Sequence, residues 1–211
     1  MVKVKICGIT NREDALAAVE SGCDGLGFIF YKKSPRYISP EKAREIISEL
    51  PPMVIKIGVF VNSREKFIKN IARLCSLDML QFHGSQTPEF CCRFKGYKVI
   101  KSFRVKDKIC LPEILRYRTF AYLFDSFSSL HFGGIGKTLN WSFLAQDLAG
   151  IKTPVFLAGG LNEKNVKSAI KIVKPDWVDA SSRLEIDLGR KDHRKLKRFI
   201  ASAKLNSSFS Y

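Results

Sequence analysis

Asp176-Trp177-Val178-Asp179-Ala180-Ser181-Ser182-Arg183-Leu184-Glu185, read together with Phe156-Leu157-Ala158-Gly159-Gly160-Leu161-Asn162, decides the fold of this 211-residue chain. Each stretch begins as a short β-type run and breaks abruptly into small residues. The second then leads into a helix, with Asn162 in the position of its N-cap. Strand ends that release into Gly and Ser gather several backbone N–H groups around one point, which suits a phosphate. In a (β/α)8 barrel the loops after the seventh and eighth strands form such a site.

Further β-type runs fall near residues 2–7, 24–30, 54–61, 78–82, 97–103 and 119–125, and the two quoted stretches supply 153–158 and 176–180. Between them apolar residues recur at helical spacing, as in Ala43/Ile46/Ile47/Leu50, Phe67/Ile68/Ile71/Leu74 and Val166/Ile170/Val173. Asn11 and Ser63 stand where N-caps belong, and Thr87-Pro88 puts a proline in a first turn. Repeated strand–helix alternation in so short a chain points to an α/β fold of the single-domain (β/α)8 TIM-barrel class. The barrel is expected over residues 1–205, with a short polar tail at 206–211.

The 45% apolar content is that of a globular protein. No apolar run approaches the ~18–20 residues of a membrane helix, and the N-terminus lacks a signal-peptide core, so a cytoplasmic protein with no membrane partner is expected. The six cysteines include no Cys-x-x-Cys pair and read as reduced thiols, with no metal site. A net charge of +16 raises the question of nucleic acid. Yet the basic residues Lys42/Arg44, Arg64/Lys66/Lys69/Arg73 and Lys164/Lys167/Lys171/Lys174 all lie in helical patterns, where they decorate solvent faces. The one basic cluster, Arg190 to Arg198, has no aromatic interleaving for base stacking, and Leu196, Phe199 and Ile200 mark an amphipathic helix. No nucleic-acid partner is therefore expected, although the charge excess suits an anionic substrate.

Gly136-Lys137-Thr138 suggests a P-loop only superficially, because residue 131 is His where that motif requires Gly. Cys7 ends the first strand, a place where a lone Cys is usually packing. Asp125 and Asp179 end the sixth and eighth strands, where burying a carboxylate costs free energy unless it serves something. Arg36 follows Ser34-Pro35 in a long loop after the second strand; its default reading is a solvated side chain.

Lys5-Ile6-Cys7-Gly8-Ile9, Gly27-Phe28-Ile29-Phe30 with Ser34-Pro35-Arg36, Gly58-Val59-Phe60-Val61, Gln81-Phe82-His83-Gly84, Gly133-Gly134-Ile135-Gly136-Lys137-Thr138, Leu157-Ala158-Gly159-Gly160-Leu161 and Val178-Asp179-Ala180-Ser181-Ser182 occur in that order. Together, over residues 2 to about 200, they resemble the phosphoribosylanthranilate isomerases of tryptophan biosynthesis. The resemblance implies an Amadori rearrangement of an aminoaldose phosphate, with Cys7 as general base and Asp125 as general acid. A thiol needs a modest electropositive shift for that work, and the aspartate needs a pKa raised by burial. Arg36 is implied as the holder of the anthranilate carboxylate, a task for a planar bidentate donor. Gly159, Gly160, Ser181 and Ser182 are implied to bind phosphate, while Gly134 and Gly136 approach the substrate. Asp179 is implied to support the base; for His83 a substrate role and a structural role stand side by side. The scheme implies no cofactor and a phosphorylated small-molecule substrate, with the chain acting as a monomer or alternatively a homodimer.

The family pattern Ser-Ser-Gly-Val-Glu reads Ser181-Ser182-Arg183-Leu184-Glu185 here. Glycine permits close approach of backbone to phosphate or a positive φ, neither of which suits Arg. The expectation is that the loop keeps its path and Arg183 adds a charge-assisted phosphate contact. The competing readings are a histidine-pathway isomerase on the same barrel, a nucleic-acid module and a non-catalytic relic. The first is disfavoured by Cys7 and by the absence of a half-to-half repeat.

Overall fold

The computed structural model describes residues 1–105, 109–126 and 140–205. All the expected strands form: β1 (Lys3–Cys7), β2 (Gly25–Ile29), β3 (Ile55–Phe60), β4 (Met79–Phe82), β5 (Lys98–Val105), β6 (Ala121–Ser126), β7 (Val155–Leu157) and β8 (Trp177–Ala180). They pair in chain order and in parallel, and β1 closes on β8 to complete an eight-stranded barrel. Helices α1 (Arg12–Glu20), α2 (Pro40–Ser48), α3 (Glu65–Leu74), α4 (Pro88–Cys91), α5 (Leu111–Leu115), α6 (Trp141–Asp147), α7 (Val166–Val173) and α8 (His193–Lys204) follow the strands. The expected tail, 206–211, lies outside the described residues.

Both faces of a barrel strand are covered, so alternation along it separates helix-facing from interior-facing side chains. Val4 and Ile6 of β1 join the large core beneath the helices. Ile57, Met79, Ile100, Leu123, Phe156 and Trp177 form a separate apolar cluster inside the barrel, where the Phe156 and Trp177 rings stack at 4.7 Å. Trp177 stands opposite Lys3, one layer beneath the opposed pair Lys5 and Asp179. The interior is therefore apolar at its floor and ionic above.

The cap at Asn11 forms as expected and Pro88 stands in the first turn of α4, where Thr87 adds a cap of its own; each side chain accepts from a first-turn N–H. Ser63 differs: it turns its hydroxyl to Val61 O, and Arg64 occupies the cap of α3 without a side-chain bond. Asn162 Oδ1 accepts from the N–H groups of Lys164 and Asn165 and its carbonyl from Val166 N–H, so it caps a lead-in turn one step ahead of the regular α7. After β8 the chain makes a 3₁₀ turn (Ser182–Leu184) and a small antiparallel hairpin of β9 (Glu185–Asp187) and β10 (Arg190–Lys191). The basic cluster thus splits. Its second half is the amphipathic α8, burying Leu196, Phe199 and Ile200, whereas Lys191 lies in the hairpin and is buried. Among the described residues no helix is long and apolar enough to cross a membrane.

Candidate active site

The site is built from the carboxyl ends of the strands. On β1, Lys5 and Cys7 are two residues apart and both face the interior; Lys5 is fully buried and its Nζ donates to Asp179 Oδ2 at 2.9 Å. Gly8 then turns the chain with φ of +75°, and its N–H donates to Gly27 O. A Cβ at Gly8 would stand 2.7 Å from Arg36 Cδ and 3.0 Å from Ser181 Oγ, so only glycine lets these groups crowd the end of β1. The thiol itself differs from expectation. Burial pushes Cys7 up from its ordinary value; Lys5 opposes this, and the Asp179 carboxylate adds to it.

Arg36 is not a solvated side chain. Its loop is folded back by Tyr37 N–H to Ser34 O, Ile38 N–H to Ile29 O and burial of Ile38. Its Nε and Nη2 each donate to Glu185 at 2.7 Å, a bidentate pair with side chains 19% and 6% exposed. That uses one edge of the guanidinium and leaves the Nη1 side for a second planar anion. Lys191 Nζ donates to Glu185 Oε1 (3.0 Å), Cys7 O (2.8 Å) and Ser181 O (3.3 Å), tying the ends of β1 and β8 together. Its backbone N–H goes to Asp14 Oδ2, which also accepts from Asn11. Burial alone pushes the Glu185 carboxyl up, but Arg36 and Lys191 outweigh it and hold it below its usual range.

Asp125, at the end of β6, is three strands from Cys7 around the ring through β7 and β8. Its side chain is 30% exposed, less enclosed than the burial expected of an acid, and His83 Nε2 approaches its Oδ2 at 3.5 Å. Gln81 Nε2 lies 3.1 Å from His83 Nδ1. An amide nitrogen only donates, so Nδ1 accepts and the ring proton sits on Nε2, toward Asp125. Burial, reinforced by Arg104, Lys5 and Lys101, pushes the imidazole down to about 4, which keeps it neutral near neutral pH.

On the neighbouring strand ends, Gly159 and Gly160 take φ of +90° and +70°. Ser181 opens the 3₁₀ turn, its hydroxyl buried without a partner among the described residues. The first N–H groups of such a turn have no acceptor within it and point outward, as at any helix start. Arg183 needs no glycine-like backbone: among the described residues, those other than glycine with positive φ are Asn62, Ser76 and Lys174. Its side chain is exposed, while Leu184 is fully buried. Gly134 and Gly136 lie outside the described residues.

The fold thus brings Cys7, Asp179, Arg36 and Ser181 together around β1 and β8, and sets His83 beside Asp125 across the mouth. Sequence reasoning missed Lys5, Glu185 and Lys191. Lys5 and Glu185 stood inside quoted motifs without a role. Lys191 was read only as part of a basic amphipathic helix, because its carbonyl acceptors are ones that no spacing announces. Among the described residues no cluster of side chains is arranged to hold a metal.

Residues 4–202 match the family model described as N-(5'-phosphoribosyl)anthranilate (PRA) isomerase. The chain is 47% identical over 204 residues to the N-(5'-phosphoribosyl)anthranilate isomerase of Trichlorobacter lovleyi, covering 97% of this chain and 98% of that one. The phosphoribosyl anthranilate isomerase crystal structure from Thermotoga maritima superposes with a TM-score of 0.91 at 46% identity, over 97% of this chain and 99% of that chain. A phosphoribosyl anthranilate isomerase solved with reduced 1-(o-carboxyphenylamino)-1-deoxyribulose 5-phosphate superposes at 0.87 with 44% identity, over the same shares.

Proposed function

The chain belongs to the N-(5'-phosphoribosyl)anthranilate isomerase family, and on that footing we propose that Cys7 and Asp125 divide the proton transfers of its reaction. The reaction is the isomerisation of N-(5'-phosphoribosyl)anthranilate in tryptophan biosynthesis, an Amadori rearrangement. Asp125 gives its proton to the ring oxygen of the ribose, the C1–O bond breaks, and nitrogen supplies the electron pair of the resulting Schiff base. The Cys7 thiolate then takes the proton from C2, and the enolamine formed tautomerises to the aminoketose phosphate. Both steps are proton transfers, so the scheme calls for no metal or organic cofactor.

The observation that carries this reading is the placement of a thiol and a carboxyl at the ends of β1 and β6, facing one barrel mouth. Arg36 presents its open Nη1 edge to the anthranilate carboxylate, held in plane by Glu185. The phosphate rests on the N–H groups near Gly159, Gly160, Ser181 and Ser182, with the exposed Arg183 adding a charge-assisted bond. His83 Nε2 faces Asp125 Oδ2 at 3.5 Å and positions it. All these side chains come from one chain, which supports a monomer as the working unit; sedimentation separates it from a homodimer.

The test is loss of anthranilate-type fluorescence as the purified chain acts on phosphoribosylanthranilate generated in situ, with Cys7→Ser and Asp125→Asn alongside. Turnover lowered by about two orders of magnitude or more in both variants supports the division of roles. A folded Cys7→Ser chain with ordinary turnover removes Cys7 as the base.

A further inference from the structure

Cys7 is buried where ionisation is disfavoured, yet the reading above, on which this inference rests, needs it as a thiolate. The layer beneath it holds an ion pair in place of the apolar residues that usually fill a barrel. Lys5 Nζ donates to Asp179 Oδ2 at 2.9 Å, and the two residues are register partners across β1 and β8. The Lys5 side chain also ends beside Cys7, and each favours the charged form of the other. Gly27 makes room for this: a Cβ there would lie 2.8 Å from Cys7 Sγ and 3.2 Å from Lys5 Cε. Asp179 Oδ1 is buried with no partner among the described residues, so Lys5 alone does not satisfy the carboxylate.

We propose that Lys5 is a positioning residue that shares one buried positive charge between two acids, Asp179 and Cys7, and carries the proton between them. In the resting arrangement Asp179 is the anion and Cys7 a thiol. To arm the base, Nζ gives one of its protons to Asp179 Oδ2 and receives the proton of the breaking Cys7 S–H bond. Lys5 ends as an ammonium, Asp179 as a neutral acid and Cys7 as a thiolate. The net charge of the interior is unchanged, so no uncompensated ion is created over the apolar floor.

The protonation preferences agree with the geometry. Burial lowers Lys5, but Asp179 and then Cys7 overcome this and keep it protonated. Burial raises Asp179 against the pull of Lys5, which suits a proton acceptor. The other charges facing Cys7 are Lys191 from β10 and Arg36 from the loop after β2; β2 itself contributes only Gly27 there. Both cations are already bonded to Glu185, whereas among the described residues Lys5 has only the Asp179 carboxylate to share with Cys7.

The test follows thiolate ultraviolet absorbance against pH in the full chain, with the Cys7→Ser chain subtracted to remove the other cysteines. Lys5→Met removes the counter-ion and raises the Cys7 midpoint by about 1–3 pH units. Asp179→Asn removes the competing acid, leaves the thiolate as sole partner of Lys5, and lowers the midpoint by about a unit or more. The acid limb of kcat/KM moves in the same direction in each active variant. Lost packing has no reason to move the thiol in opposite directions, so a midpoint unmoved or raised in Asp179→Asn overturns the proposal. Should Lys5→Met fail to fold, Lys5→Met/Asp179→Asn keeps the pair neutral, and its midpoint must lie above that of Asp179→Asn alone. Turnover retained in Cys7→Ser defeats the assignment of the base without touching the titration, so the two failures are distinct.

Discussion

Replacing Glu185 with glutamine perturbs both edges of the site while conserving shape. The native carboxylate takes Arg36 Nε and Lys191 Nζ on Oε1 and Arg36 Nη2 on Oε2, at 2.7, 3.0 and 2.7 Å. An amide oxygen in the Oε1 place keeps the first and second of these without their ionic assistance. The amide nitrogen then faces Arg36 Nη2, donor against donor, so the third bond is lost and two cations remain beside a neutral group. A hydrogen bond to a charged group contributes about 1.5–3 kcal/mol, and breaking a buried pair costs about 3–5 kcal/mol. Because Arg36 is 19% exposed and recovers some hydration, about 3 kcal/mol of destabilisation is expected. Urea unfolding at neutral pH reads it as a lower midpoint with the slope unchanged. In steady-state kinetics KM rises about tenfold, equivalent to about 1.4 kcal/mol, because Arg36 is no longer held in plane. Turnover number falls much less, since the carboxylate is gripped alike in ground and transition states. Stability within about 0.5 kcal/mol of the parent, an ordinary surface effect, together with an unchanged KM, would refute the reasoning.

Asp125→Asn removes the acid and is expected to cost roughly 10²–10⁴-fold in rate; near-normal turnover in the fluorescence assay sinks its assignment. Arg183→Gly leaves turnover within a few-fold, because the backbone there already lacks a positive φ; a rise by orders of magnitude contradicts this. His83 is held down to about 4 by burial and neighbouring cations, so on acidification the unfolded chain takes up its proton first. Its contribution is complete above pH ~6.5 and lost as pH falls toward 4, approaching about 3 kcal/mol. His83→Gln should flatten that part of the urea-midpoint profile, and an unchanged acid slope argues that another group carries it.

The strands were legible because each pairs a β-type run with an abrupt release into small or polar residues, a pattern that local sequence carries. Val155–Leu157 and Trp177–Ala180 are short, yet their Gly and Ser endings made them the clearest of all. The polarity of β1 was harder to read. Alternating Lys and apolar residues suggest a half-exposed strand with its lysines in water, but a barrel covers both faces, and Lys5 is on the inside. Ser63 was misplaced as a cap because its hydroxyl found a nearer local acceptor. The β9–β10 hairpin left little trace, since strands of three and two residues show no period. At the site, single residues at strand ends were readable, whereas the bond from Arg36 to Glu185 spans 149 positions and has no local signature.

Lys191 meets Cys7 O across 184 positions of chain. A ribosome emits β1 first, and neither its β8 neighbour nor the lysine that braces its end exists until nearly the whole barrel has been made. A nascent chain halted before the hairpin leaves the Cys7 carbonyl without that brace and Arg36 without its carboxylate. Competence therefore arrives late and as one event, when the last-made segment locks onto the first. Turnover by this enzyme is also a readout of ring closure, and a fragment ending before Glu185 should regain it only when the missing segment is supplied in trans.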